Sequence, residues 1–505
     1  MENEYVVKTT NGQIQGYARR GIIKFKGIPY AAPPINDLRF KPPAPVEPWD
    51  GVREALEYGP IAPQPSAALE SMFGEERVQN EAECLTLNVW TSALDHKKRP
   101  VLFFIHGGGF VTGTGASLDG SRLVSRGDVV VVSINYRLGS LGFLYMPDER
   151  DVSANVGLLD MVAALEFVRD NITNFGGDPE NVTIFGESAG GFAVASLLAA
   201  PAAKGLFHRA IPQSGAAHPL GFNPEAGRKV HDRLVEKLGV EKGAISALRE
   251  IPAEDIIKAQ IAITGQDEGE FGTGRPLSLG PVVDKAVLPS HPLDAVRNGY
   301  AKDVDLLIGS NLDETKLWVM LNPNSDEISE SRVFKGVNRI VSLAGKDEKK
   351  TKEMMEIYGR KRKTPRDLMD AVSTDYMFRI PSVLLAEAQS EHQEHTYMYL
   401  FAWQNPMRGG KYGAMHALEL AFVFGVLLPK EIGIFPRRTE ETQALSEAMM
   451  DTWISFARDG NPNNENIPQF PRYDSEKRAT IIFDKEIEIV NDPYGDERAA
   501  WADLL

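Results

Sequence analysis

A serine set between two glycines, where a strand must turn sharply into a helix, constrains this chain more than any other feature. The residues are Gly186-Glu187-Ser188-Ala189-Gly190-Gly191. Upstream, Asn181-Val182-Thr183-Ile184-Phe185 is short, apolar and β-branched, and reads as a buried strand. Downstream, Phe192 to Ala200 reads as a helix stopped by Pro201. In such a G-x-S-x-G turn, side chains two residues either side of the serine would collide, and glycine removes the Cβ at both places. Ser188 then stands above the sheet edge at a helix N-terminus, where a serine nucleophile must be.

Serine attacks only when a base takes its proton, and that base needs a third group to hold its tautomer. Behind an elbow of this kind the partners follow in the order serine, acid, histidine. His392, His395 and His416 come late enough. The first two lie in Glu391-His392-Gln393-Glu394-His395, a polar run that reads as a solvated helix end. His416 lies in Gly413-Ala414-Met415-His416-Ala417-Leu418, flanked by small residues and leading into an apolar stretch. An isolated histidine there would usually be a hydrogen-bonded core residue; behind an elbow it reads as the general base.

The acid is expected just after a strand between serine and histidine. Asp305-Leu306-Leu307-Ile308-Gly309-Ser310 is such a strand, and Asn311-Leu312-Asp313-Glu314 follows it. On chemistry alone either carboxylate could accept the imidazole N–H. The site must also hold a tetrahedral oxyanion with preorganised backbone donors. The apolar strand Val101-Leu102-Phe103-Phe104-Ile105 is followed by His106-Gly107-Gly108-Gly109-Phe110, the HGGG-type loop expected after the third strand. Gly108 and Gly109 are the expected donors, with Ala189 N–H as the third. A nucleotide loop is excluded, because neither G-x-x-x-x-G-K-[ST] nor G-x-G-x-x-G follows the strand.

With these residues in place the chain resembles the type-B carboxylesterase family, over nearly its whole length. Phe25-Lys26-Gly27-Ile28-Pro29-Tyr30-Ala31, Glu83-Cys84-Leu85-Thr86-Leu87-Asn88-Val89, Asn135-Tyr136-Arg137-Leu138-Gly139 and Phe175-Gly176-Gly177-Asp178-Pro179 match family motifs in order. Gln213-Ser214-Gly215 and Pro281-Val282-Val283-Asp284 continue the match. The resemblance implies an α/β-hydrolase fold: a large, mostly parallel twisted sheet with helices on both faces and helical insertions over the active site. It places the acid at Glu314, leaving Asp313 as the fallback, and the base at His416. Thr315 departs from the glycine that usually follows the family's glutamate. Ser214 resembles a serine that hydrogen-bonds near the acid and base, with capping as its rival role. Arg39 and Glu83 resemble a structural ion pair.

One large domain spanning residues 1–505 is expected, with insertions at roughly 220–300 and 320–395. Lysine plus arginine number 55 against 70 acids, a net charge of −15. That acidic balance argues against nucleic acid or an anionic membrane as partner. The cations of Lys346 to Lys363 are interleaved with acids and read as a solvated helix. No apolar run reaches the ~18 residues that span a bilayer; Leu418 to Leu428 is short and contains Glu419. The N-terminus shows no basic region followed by an apolar stretch, so no signal peptide is expected. With one cysteine, Cys84, no internal disulfide can form. Animal members of the family usually pair the equivalent cysteine, so the chain resembles the cytoplasmic bacterial branch, near the p-nitrobenzyl esterases. Cys84 itself reads as a small buried hydrophobe.

No cofactor is expected, and no metal motif such as H-E-x-x-H is present. The expected partners are a small-molecule ester and water, acting on a monomer. Hydrolysis of a carbamate, amide or specialised xenobiotic ester is the rival within the same triad chemistry. A non-catalytic adhesion role is disfavoured by the complete triad. Met72-Phe73, where cholinesterases resemble Met-Trp, argues against a choline substrate. Phe110, Phe271, Trp318, Phe378 and Phe424 lie near catalytic segments without an assigned role. Activity is expected to rise with pH through one ionisation near the histidine reference value of about 6.5.

Overall fold

Runs such as Val101 to Ile105 and Val130-Val131-Val132 are apolar on both faces, which commits them to the middle of a sheet covered on both sides. Each of these residues is at most 2% exposed. The computed structural model describes residues 5–66, 77–149, 151–264, 279–321, 328–430 and 435–505. The large sheet contains β1 (Tyr17–Arg19), β2 (Ile22–Pro29), β3 (Thr86–Thr91), β4 (Arg99–Ile105), β5 (Val130–Ile134), β6 (Gly177–Glu187), β7 (Arg209–Gln213), β8 (Asp305–Asn311), β9 (Thr396–Phe401), β10 (Ala479–Phe483) and β11 (Glu488–Asn491). Their spatial order is 11-10-9-8-7-6-4-5-3-2-1. The central strands β4 to β10 are all parallel. Antiparallel strands finish both edges. The expected mostly parallel sheet is therefore present, although the HGGG loop follows the fourth strand of this sheet, not the third. Val6–Lys8, Gln13–Gln15 and Val52–Glu54 form a separate small sheet.

Alternation along each strand divides the core into two layers. Val101, Phe103, Ile105 and Ile184 pack on one face. Leu102, Phe104 and Phe185 pack on the other. The helices that carry or buttress the site are α1 (Val156–Asn171), α2 (Ala189–Leu197), α3 (Lys316–Leu321), α4 (Pro365–Thr374), α5 (Ile380–Ser390), α6 (Leu418–Val423) and α7 (Glu440–Asp459). Helices α1, α2 and α5 bury apolar residues in the first layer, and α6 and α7 in the second. Between α4 and α5, Asp375–Arg379 winds as a π-helical turn. Further helices stand between β7 and β8 (Pro224–Leu238, Ala253–Thr264) and between β8 and β9 (Glu330–Leu343, Glu348–Gly359). Among the described residues no helix is long and apolar enough to cross a membrane.

Helix α2 departs from the propensity reading. It starts at Ala189 and ends at Leu197, three residues early at both ends. Gly190 and Gly191 fall inside the helix, although glycine disfavours one. Packing overrides that preference. A Cβ on Gly190 would lie 2.0 Å from the Ile105 carbonyl oxygen, and one on Gly191 2.6 Å from that of Gln213. Only a helix start without side chains fits between the ends of β4 and β7. Arg39 also departs from expectation: its guanidinium pairs with Glu81, not Glu83, at 2.7 and 2.5 Å. Glu81–Glu83 is a 3₁₀ turn. With three residues per turn, its first and third side chains leave on different sides, and the first faces Arg39.

Candidate active site

The C-terminal edge of a parallel sheet collects loops that several strands can contribute to one point. Here β6 runs straight into Ser188, whose φ of 57° and ψ of −122° lie where L-residues are strained. Such a conformation costs on the order of 1–3 kcal/mol and persists only when surrounding contacts enforce it. Ser188 N–H donates to the Gln213 carbonyl at 3.0 Å, and its own carbonyl accepts from Phe192 N–H at 2.9 Å. A Cβ on Gly186 would lie 2.6 Å from the Gly190 carbonyl group, so the tight crossing requires both glycines.

The loop after β4 packs directly on this turn: a Cβ on Gly107 would lie 3.1 Å from Ser188 Cβ. Gly108 and Gly109 have φ of +106° and +63°. Among the described residues no hydrogen bond engages either N–H, while the Gly108 carbonyl accepts from Val111 and Thr112. Ala189 is the first residue of α2, so its N–H has no intrahelical acceptor. Three backbone donors are thus open on the loop and the elbow. His106 anchors the loop from below. Its ring stacks on Tyr136 with centroids 4.4 Å apart, and Tyr136 O–H donates to its carbonyl at 2.9 Å. Burial lowers the His106 imidazole to about 4, so it stays neutral.

His416 lies in the connection between β9 and α6, with Glu314 three residues beyond the end of β8. Nδ1 of His416 is 2.6 Å from Glu314 Oε2, and both side chains are buried. Glu314 is held in turn: its Oε1 accepts from Asn311 N–H at 2.7 Å, and its carbonyl accepts from His416 N–H at 3.1 Å. Asp313, the fallback acid, does not reach the imidazole. Its Oδ2 accepts from Ala414 N–H at 3.0 Å and its Oδ1 pairs with Lys316 at 2.8 Å. It clamps the acid loop to the histidine loop.

Two further carboxylates were missed as site residues. Glu187 Oε1 lies 3.1 Å from His416 Nε2. No hydrogen bond joins them, and both atoms are unpaired among the described residues. Nε2 is therefore unengaged, and it forms no hydrogen bond with the Ser188 hydroxyl in this arrangement. Glu419 accepts from Asn311 Nδ2 at 2.7 Å and from Gln213 Nε2 at 3.1 Å. The signals existed: Glu187 is the variable residue of the elbow, and Glu419 interrupts an apolar run. Burial alone would lower the His416 imidazole, but Glu187 and Glu314 outweigh it and raise the group to about 9. Burial raises Glu187 to about 8 and Glu419 to about 7, against their ordinary carboxylate range. The expectation of an imidazole near its reference value is thereby displaced upward.

Other expected residues fall as follows. Ser214 is fully buried with φ 46°, and its Oγ has no hydrogen-bond partner among the described residues. Its N–H instead ties the end of β7 to Gly309 of β8 at 2.9 Å. His392 and His395 stand at the opposite edge of the sheet, bonded to the Arg297 carbonyl and paired with Asp305. Trp318 and Phe378 stand beside the His416 ring, at centroid distances of 5.2 and 4.8 Å. Phe424 packs on Phe104 and Phe185 in the core, and Phe110 packs on Phe143. Phe271, Met72 and Phe73 lie outside the described residues. Cys84 is buried and unpaired, and burial pushes its thiol well up.

The model of the carboxylesterase family matches residues 3–501. The chain is similar to the para-nitrobenzyl esterase of Bacillus subtilis (strain 168), with 40% identity over 98% of this chain and 97% of the relative. It is also similar to the phenmedipham hydrolase of Pseudarthrobacter oxydans, with 32% identity over 96% and 97%. Among solved structures, a thermophilic PNB esterase superposes with a TM-score of 0.87 and 37% identity, covering 100% of both chains.

Proposed function

The chain belongs to the carboxylesterase family and hydrolyses carboxylic esters, and we propose that it does so through Ser188, His416 and Glu314. The observation that carries this reading is the strained Ser188 turn, whose preceding residue Glu187 lies 3.1 Å from Nε2 of a buried imidazole held by Glu314 at 2.6 Å on its other nitrogen. Nε2 of His416 takes the Ser188 proton as Oγ forms a bond to the ester carbonyl carbon. The N–H groups of Gly108, Gly109 and Ala189 hold the oxyanion, a contribution of several kcal/mol where the donors are preorganised. The imidazolium, stabilised by Glu314, then gives its proton to the departing alkoxide. Water repeats the sequence on the acyl-enzyme, with His416 again as base.

The net charge of −15 and the single free cysteine accord with a cytoplasmic enzyme, which this reading takes to act as a monomer on small to medium esters. The continuous sheet from β1 to β11 supports one domain, with the helices between β7 and β8 and between β8 and β9 covering the site. Initial rates on p-nitrophenyl butyrate, for the wild type and Ser188→Ala at equal folded concentration, test the assignment. A loss of about 10³-fold or more is expected. Retained turnover in the variant would remove Ser188 from the mechanism.

A further inference from the structure

The family resemblance leads one to expect glycine after the acid, and this chain has Thr315, buried at 3% exposure. Its hydroxyl donates to the Asp370 carbonyl at 3.0 Å, and its N–H donates to Thr374 Oγ1 at 3.4 Å. Asp370 and Thr374 are four residues apart on α4 and so share one face. Helix α4 continues into the π-helical turn, which a buried Asp375–Arg379 pair fixes with two contacts of 2.6 Å. That turn carries Phe378, 4.8 Å from the His416 ring. On the other side of Thr315, α3 carries Trp318, 5.2 Å from His416 and stacked on Phe378 at 6.4 Å.

We propose that Thr315 is a positioning residue for the triad, its hydroxyl fastening the loop that carries Glu314 to the helix whose end presents Phe378 to His416. The imidazole is held by Glu314 at Nδ1 and by the rings of Trp318 and Phe378 beside it. All three are borne by segments that meet at Thr315. A glycine there would keep the long N–H bond to Thr374 Oγ1 at 3.4 Å and lose the shorter hydroxyl bond to the Asp370 carbonyl. The hydroxyl uses the second lone pair of the Asp370 carbonyl, so the bond adds a tie without removing one from the helix. This inference rests on the triad assignment above.

The test compares Thr315→Val, which keeps the shape and loses the hydroxyl, with Thr315→Ser, which keeps the hydroxyl and loses the methyl. Steady-state rates on p-nitrophenyl butyrate and Tm are read for each, with Ser188→Ala alongside. Misplacement of the acid loop is expected to lower kcat of Thr315→Val about tenfold or more, with KM within about twofold. Thr315→Ser is expected to keep wild-type kcat even where its Tm falls. Wild-type kcat in Thr315→Val, or equal kcat losses in both variants, would overturn the proposal. If Thr315→Val does not fold, Thr315→Ala against Thr315→Ser decides by the same criterion. Activity retained in Ser188→Ala would instead overturn the triad reading, independently of Thr315.

Discussion

Glu187 faces His416 across 3.1 Å, at the imidazole nitrogen proposed to receive the proton of the adjacent Ser188. With Glu314 at 2.6 Å on the opposite nitrogen, the ring lies between two buried carboxylates. Such an arrangement stabilises the imidazolium, the form present after proton transfer. It also delays the loss of that proton when the enzyme is free.

The pH profile follows from this geometry. His416 must be neutral to act as base, and its group is raised to about 9 because Glu187 and Glu314 outweigh burial. The acid limb of kcat/KM is therefore expected above the histidine reference of about 6.5. Glu187→Gln removes one of the two raising charges, so its limb should move to lower pH. Profiles of the two proteins from pH 5 to 10 check this. Superimposable limbs would mean that Glu187 does not act on the imidazole.

The two adjacent carboxylates should separate cleanly. Glu314→Gln loses the charge that orients and stabilises the imidazolium, and kcat is expected to fall by about 10³-fold or more. Asp313→Asn keeps an acceptor for Ala414 N–H and loses only the Lys316 pair, so its kcat is expected within about tenfold of wild type. Single-turnover rates on one ester compare them. The reverse ranking would make Asp313 the acid.

Gly108 reports on the oxyanion loop. Its φ of +106° is strained for any other residue, and a Cβ would lie 2.3 Å from the Thr112 carbonyl oxygen. Gly108→Ala must shift the loop and with it the open N–H groups. The expected loss is about 10²-fold in kcat, comparable to removing one oxyanion donor. A kcat within twofold of wild type would show that these donors do not hold the oxyanion.

Glu419 links the site to stability. Burial, followed by the charge of Glu314, raises its folded-state value from 4.5 to about 7. Between those values the folded state binds more protons than the unfolded one, so this group makes stability fall as pH rises. Glutamine resembles the protonated form and carries no such dependence. Relative to wild type, Glu419→Gln should gain stability on going from pH 5 to pH 8, as read by urea midpoints. An unchanged difference at the two pH values would place the Glu419 charge elsewhere.

Much of this protein is written locally. The elbow, the HGGG loop, and the strands before Ser188 and Glu314 are contiguous patterns. Sterics at Gly186 and Gly190, and two-sided burial of Val101 to Ile105, leave each pattern few conformations. The order serine, acid, histidine confined the base to three histidines and the acid to two neighbouring carboxylates. His416 differs from His392 and His395 in its flanking small and apolar residues, and it is the one set against Glu314, at 2.6 Å.

Tertiary structure decided what depends on direction across the sheet. Asp313 and Glu314 are equivalent in sequence. Only the turn after β8 aims one at the imidazole and the other at Ala414 N–H. Glu187 and Glu419 enter as a motif variable and a charge in an apolar run. Their effect on His416 exists because residues up to 232 positions apart are buried together, where weakly screened charges act strongly on one another. The sequence by itself determined the chemistry and the scaffold, because both rest on short patterns with steric consequences. The protonation behaviour of the base and the tie through Thr315 came from the folded chain, because burial and through-space charge have no local signature.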